Sequence, residues 1–109
     1  MRRGDLATVA LQGDYGKPRP CLIVQADEFV EHVSVTVLPL STHLQVAGFR
    51  IDVSPTAENG LLAPSQIMVD RAATYPRRKI GRVIGRLDPG LLPIVDQALA
   101  IWLGLPLRL

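Results

Sequence analysis

The chain changes its hydrophobic period once, near Asp88, and that switch limits the folds open to it. Upstream, apolar residues come in short alternating runs. Val33, Val35 and Val37 alternate with Ser34 and Thr36, the period of a half-buried strand. Leu6 to Leu11, Pro20 to Gln25, Val33 to Leu40, Phe49 to Val53 and Gln66 to Asp70 read as strands. Asp27 to His32 reads as a connection or a turn of helix, and Ser54 to Pro64 is turn-rich. Lys79 to Leu87 breaks its apolar residues with Gly81 and Gly85, the mark of a kinked or bulged strand. Downstream, Leu92, Val95, Leu99 and Trp102 recur at helical spacing. Asp88 is the expected N-cap, with Pro89 at the first helical position, and Gly104-Leu105-Pro106 is a stop signal. Pro93 removes one backbone bond within that helix. Leu91, Ile94, Ala98 and Ile101 make its opposite face apolar as well. Such a helix is expected to pack on the sheet with one face and on a partner with the other. The expected architecture is mainly β, a strongly bent antiparallel sheet or barrel over about residues 3–87 with a C-terminal helix over about 89–103.

A chain of 109 residues is expected to form one domain, residues 1–109, with a core that needs neither disulfide nor metal. Its apolar share of 48% suggests a further buried face between subunits. Cys21 is the only cysteine and lies in an apolar run. An intramolecular disulfide and a multi-cysteine zinc site are therefore excluded within one chain, and packing is its expected role. No His, Asp and Glu cluster has metal-ligand spacing, so no metal or other cofactor is expected. The N-terminus lacks an apolar core of signal-peptide length, and no apolar run reaches the ~20 residues of a membrane span. A cytoplasmic protein is the expectation.

The stretch richest in chemistry is Gly16-Lys17-Pro18-Arg19-Pro20, directly before Cys21-Leu22-Ile23-Val24. Each proline fixes its own φ and extends the residue before it. The Arg19 guanidinium thus leaves a stiffened backbone where a loop enters a buried strand, a placement suited to binding phosphate. Among the twelve basic residues only Lys17 and Lys79 are not arginine. Arg71, Arg77, Arg78, Lys79, Arg82 and Arg86 fall in a segment without acidic residues. Such clusters suit polyanions and acidic protein partners alike.

Taken in order, several motifs resemble the MazF/PemK toxin family, the ribonuclease halves of bacterial toxin–antitoxin pairs. They are Arg3-Gly4-Asp5-Leu6, then Gly16 and Arg19-Pro20 leading into Leu22-Ile23-Val24-Gln25, then Val37-Leu38-Pro39-Leu40-Ser41-Thr42. Gln66-Ile67-Met68-Val69-Asp70, Lys79-Ile80-Gly81 and a terminal helix ending in Leu103-Gly104 complete the set. The resemblance implies an SH3-like barrel with a C-terminal helix, assembled as a homodimer. It also implies metal-independent, sequence-specific cleavage of single-stranded RNA. In that reaction the ribose 2′-hydroxyl attacks the adjacent phosphorus and leaves a 2′,3′-cyclic phosphate and a 5′-hydroxyl. Arg19 matches the family's catalytic arginine. Ser41 stands where a catalytic threonine is usual and Thr42 where a serine commonly follows, so either hydroxyl could serve the phosphate. Asp70 matches a position of proton acceptors or base readers, whereas Met68 stands where some relatives carry arginine. His43 is a candidate proton shuttle. Lys17, His43, Gln66, Arg71, Arg77, Arg78 and Lys79 are candidate RNA-binding residues. The arginine-rich segment would track RNA phosphates or dock an antitoxin with a disordered acidic-hydrophobic tail.

A different activity shares that fold. Pro39-Leu40-Ser41 and Ile101-Trp102-Leu103-Gly104-Leu105 resemble the gyrase poison CcdB, although Leu103 separates Trp102 from Gly104. A non-catalytic nucleic-acid-binding member of the family is the remaining alternative.

Overall fold

In a computed structural model the chain is described over residues 1–10, 17–46 and 48–106. Seven strands precede one helix: β1 Asp5–Ala10, β2 Pro18–Ile23, β3 Ser34–Ser41, β4 Arg50–Val53, β5 Ser65–Met68, β6 Ala73–Pro76, β7 Ile80–Arg86 and α1 Leu92–Leu103. All pairings are antiparallel, in the order β4-β5-β3-β2-β1-β7, with β6 also on β3. Strand β3 is the hinge of the architecture. Its first half, Ser34 to Val37, pairs with β6, and its last residues, Leu40 and Ser41, pair with β5. The sheet wraps into the expected SH3-like form through the 3-10 turn Arg77–Lys79 between β6 and β7. It is not closed by a ladder between its outer strands β4 and β7 among the described residues.

Alternation sends side chains to two separate cores. Leu6, Leu22, Leu38, Leu40 and Ile67 bury one face of the sheet beneath α1, joined by Val95 from the helix. Ala7, Val9, Cys21, Ile23, Val35 and Val37 bury the other face inside the curl, with Tyr75 and Ile80 against them. Because side chains alternate with period two, odd-numbered positions of β2 and β3 belong to the inside of the curl and even-numbered ones to the helix side. β6 runs along the edge of β3 as far as Val37 and β5 from Leu40 on; beyond Val37 the odd-numbered Pro39 and Ser41 are only half-buried.

The turn-rich segment 54–64 is held by a buried asparagine. Asn59 Oδ1 accepts from the Thr56 and Leu61 amides at 3.0 Å each, and Nδ2 donates to the Ser54 carbonyl at 2.8 Å. The Arg86 amide then donates to the Glu58 carbonyl at 2.8 Å, locking the segment onto β7. Two glycines permit that approach. A Cβ on Gly60, whose φ is +69°, would lie 2.1 Å from the Ile84 carbonyl oxygen, and one on Gly85 would lie 2.4 Å from the Glu58 oxygen.

Several boundaries differ from the sequence expectation. β2 starts two residues earlier, at Pro18, and β5 ends at Met68 because Val69–Arg71 turns as a 3-10 helix. β6 had no clear alternating signal, since Ala73-Thr74-Tyr75-Pro76 is short and ends in proline. The helix begins at Leu92 instead of 89. Asp88 does not cap it: its carboxylate accepts from the Gly90 amide and its carbonyl from the Leu91 amide, closing a turn. Pro93 thereby sits in the first turn, where its missing N–H costs nothing. The stop signal closes as a Schellman cap, with Gly104 at φ +70° and the Leu105 amide donating to the Ala100 carbonyl. Ile94 and Ile101 remain about half exposed, so the helix does present a second apolar face.

Cys21 is fully buried. Burial pushes its thiol from an ordinary 9.0 up to about 12, against a smaller opposing pull from the Ala7 backbone. The folded state thus favours the neutral thiol. Its contribution is complete below pH 9.0 and is lost as pH rises toward about 12. An aromatic disulfide reagent at mildly alkaline pH should therefore leave the native thiol intact and label it at once in urea. Rapid labelling of the native protein would show that Cys21 is accessible.

Candidate active site

Strand registers bring Asp52, Gln66 and Ser41 into one row, with Arg19 on the same side of the neighbouring β2. Asp52 pairs with Gln66 across β4 and β5, and Gln66 pairs with Ser41 across β5 and β3. The β2–β3 ladder ends where Cys21 pairs with Pro39; Arg19 lies two residues beyond that point on β2 and Ser41 two residues beyond it on β3. Arg19 and Ser41 are both odd-numbered and share this face. Thr42 points to the other side, where with Pro18, Pro20, Leu61, Val83 and Arg82 it lines a groove of about 720 Å³. Ser41 is the last residue of β3, and Thr42 lies in the bend that follows it.

The burial of β2 rises from exposed Pro18 and Arg19 to fully buried Cys21 and Leu22. Arg19 thus stands at the rim of the inner core, on a backbone held against Val9 of β1 and stiffened by its flanking prolines. The Ser41 hydroxyl accepts from the His43 amide at 3.0 Å. His43 and Lys17 are exposed, flanking the row at the loop after β3 and at the entry to β2. Residues 11–16, which include the Gly16 and Tyr15 of the predicted loop, lie outside the described residues.

Other candidates are placed differently. Gln66 is only 6% exposed, and its amide is used within the chain. It donates to the Gln45 carbonyl and to Asp52 Oδ1 and accepts from the Gln45 amide, each at 2.9 Å. Gln66 is thus bonded within the chain to Gln45 and Asp52. Asp70 lies four residues beyond Gln66, in the 3-10 turn, with its carboxylate 3.9 Å from Arg50 Nε. The arginine-rich segment is not one patch either. Arg86 is spent on Asp5 at 2.6 Å, and Arg77 Nε donates to the His32 carbonyl at 2.8 Å. Arg78 and Lys79 are exposed at one end of β6 and Arg71 at the other, while Arg82 borders the groove. The reason is β6 itself, whose four extended residues, about 13 Å long, separate the 3-10 turn that holds Arg71 from the one that holds Arg77.

Residues 2–103 match the family model of the PemK-like, MazF-like toxins of type II toxin–antitoxin systems. The chain belongs to that family. A probable endoribonuclease MazF of Mycolicibacterium smegmatis is 43% identical over 107 residues, covering 96% of this chain and 98% of that protein. Among solved structures, the Mycobacterium tuberculosis toxin MazF-mt6 superposes with a TM-score of 0.81 at 29% identity, covering 94% and 99% of the two chains. A mycobacterial endoribonuclease bound to its cognate antitoxin superposes with a TM-score of 0.82 over 99% of each chain, at 23% identity, a likeness of fold. In this MazF-like toxin Trp102 packs against Phe49 in a tilted arrangement, with ring centroids 5.2 Å apart and planes inclined at 57°. The tail segment that resembled a gyrase poison thus contributes to packing at the helix end. The row could not be read from sequence in full: Asp52 was missed because its pairing with Gln66 depends on the register of β4 and β5.

Proposed function

We propose that this MazF-like endoribonuclease cuts single-stranded mRNA at a short recurring sequence, without metal, through the Arg19–Ser41 pair. The observation that supports the reading is that Arg19 and Ser41, at the ends of the neighbouring strands β2 and β3, lie on the same side of the sheet by strand alternation. The ribose 2′-oxygen attacks the adjacent phosphorus as the bond to the 5′-oxygen breaks. The 2′-proton is lost, the 5′-oxygen gains a proton, and the products carry a 2′,3′-cyclic phosphate and a 5′-hydroxyl. Arg19 neutralises charge on the phosphorane and can hold two of its oxygens through the planar fork. Ser41 donates a hydrogen bond to a non-bridging oxygen. His43, two residues on, is the candidate for moving a proton at a departing or attacking oxygen. Asp70, in the 3-10 turn after β5 and beside Arg50, fits a contact to a neighbouring nucleotide. Lys17, Arg71, Arg78 and Lys79 flank the row and supply sequence-independent attraction to the backbone; Arg77 contributes less, being tied to the His32 carbonyl.

In this reading the toxin acts in the cytoplasm, inhibits translation and growth, and works as a homodimer. The half-exposed Ile94 and Ile101 on α1 offer the face for a second copy. A cognate antitoxin with an acidic-hydrophobic disordered tail suits the exposed cations together with Leu44 and Val46, which stand largely in solvent. No described helix is long and apolar enough to cross a membrane.

Paired substitutions test the site. Ser41→Ala should slow cleavage by about 10²-fold, whereas Thr42→Ala should change it by less than about threefold, both measured on one RNA oligonucleotide under single-turnover conditions. The reverse order of effects would place the active hydroxyl on the groove side.

A further inference from the structure

We infer that Gln66, oriented by Asp52, is the positioning residue for the Ser41 hydroxyl. The inference rests on the reading that Ser41 donates at the scissile phosphate. Gln66 grips both backbone groups of Gln45: its Oε1 takes the Gln45 amide and its Nε2 gives to the Gln45 carbonyl. A side-chain amide thus imitates a β-ladder partner at a point where the main chain forms no strand. The second Nε2 hydrogen goes to Asp52 Oδ1, which fixes the amide's orientation, since a flipped amide would turn its oxygen toward a carboxylate and a carbonyl.

The short loop between Ser41 and Gln45 is therefore held at both ends, by β3 and by Gln66. At its centre the His43 amide donates to Ser41 Oγ. That bond occupies an acceptor site on the hydroxyl, so its own hydrogen turns away from the loop, on the face shared with Arg19. Gln66 never meets the substrate in this arrangement. It acts through the loop backbone, and the cost of removing it is a misdirected hydroxyl.

The test uses the full chain and a cleavable RNA oligonucleotide, with a 2′-deoxy analogue at the cleaved position for affinity. Gln66→Met should lower the single-turnover rate about tenfold while affinity for the analogue stays within about twofold. Asp52→Ala, at an exposed site, should lower the rate by a smaller factor in the same way. Asp52→Asn, which keeps an acceptor oxygen, should restore most of it. In a Ser41→Ala background the Gln66 and Asp52 changes should have almost no further effect. Amide hydrogen exchange gives a readout independent of activity: Gln66→Met and Asp52→Ala should speed exchange at His43 and Gln45 without altering the β1–β2 ladder. Undisturbed protection of the His43 amide, equal rate losses with and without Ser41, or lost affinity in step with lost rate would each overturn the positioning role. Full activity of Ser41→Ala alone would instead remove the reading of Ser41 on which it rests. Should Gln66→Met fail to fold, the exposed Asp52 variants carry both readouts.

Discussion

Replacing Arg19 with alanine is expected to lower RNA cleavage by about 10²–10³-fold or more while the protein melts close to the wild-type temperature. The size follows from its task, because the phosphorane has a full extra charge to hold and Arg19 is a cation on the side of the sheet that carries Ser41. The small effect on stability follows from its place. Its side chain is exposed at the rim, and the adjoining backbone is fixed by Pro18, Pro20 and the β1 ladder, none of which the substitution touches. Arg19→Lys should fall between the two, keeping charge and losing the planar fork. Single-turnover cleavage and circular-dichroism melting of the three proteins would check both halves. Loss of activity together with early unfolding would make Arg19 structural.

The largest expected effect on stability lies far from the chemistry, at Gly60. A Cβ there would meet the Ile84 carbonyl oxygen at 2.1 Å, and the φ of +69° disfavours any side chain. Both obstacles are backbone, so neither can be relieved by a rotamer change. Gly60→Ala must push segment 54–64 off β7, weakening the bond between the Arg86 amide and the Glu58 carbonyl and exposing the pocket filled by Leu61. A loss of about 3 kcal/mol is expected, from αL strain and backbone displacement. For a domain of this size that corresponds to a fall in melting temperature of about 10–20 °C. Gly48, which has open space around its Cβ position, is the control: alanine there should change the melting temperature little. Equal melting of the Gly60→Ala protein would mean that segment 54–64 yields without cost.

The strand-rich body and terminal helix were legible because period and punctuation agree along most of the chain. Val33 to Leu40 alternates cleanly because each of its faces has its own core to fill, and Gly104 ends the helix through the φ that only glycine adopts readily. Arg19 was legible for a local reason as well, since its two prolines advertise a rigid entry to a strand. What sequence could not give is register. Asp52, Gln66 and Ser41 lie far apart in the chain and meet only because β3, β4 and β5 pair as they do. For the same reason the burial of Gln66 and its bonds to Gln45 and Asp52 were not legible, nor was the engagement of Arg86 by Asp5 and of Arg77 by the His32 carbonyl. Asp88 read as a cap because its side chain suits that role, yet Gly90 let the chain close a turn first.

The most direct test is incubation of the purified protein with a long single-stranded RNA in EDTA, followed by end-group analysis of the fragments. Cuts at one short recurring sequence, with 2′,3′-cyclic phosphate and 5′-hydroxyl ends, are the expected result. Intact RNA in the presence of folded protein, or ends bearing a 5′-phosphate, would contradict cleavage by an Arg19–Ser41 pair acting on the 2′-hydroxyl.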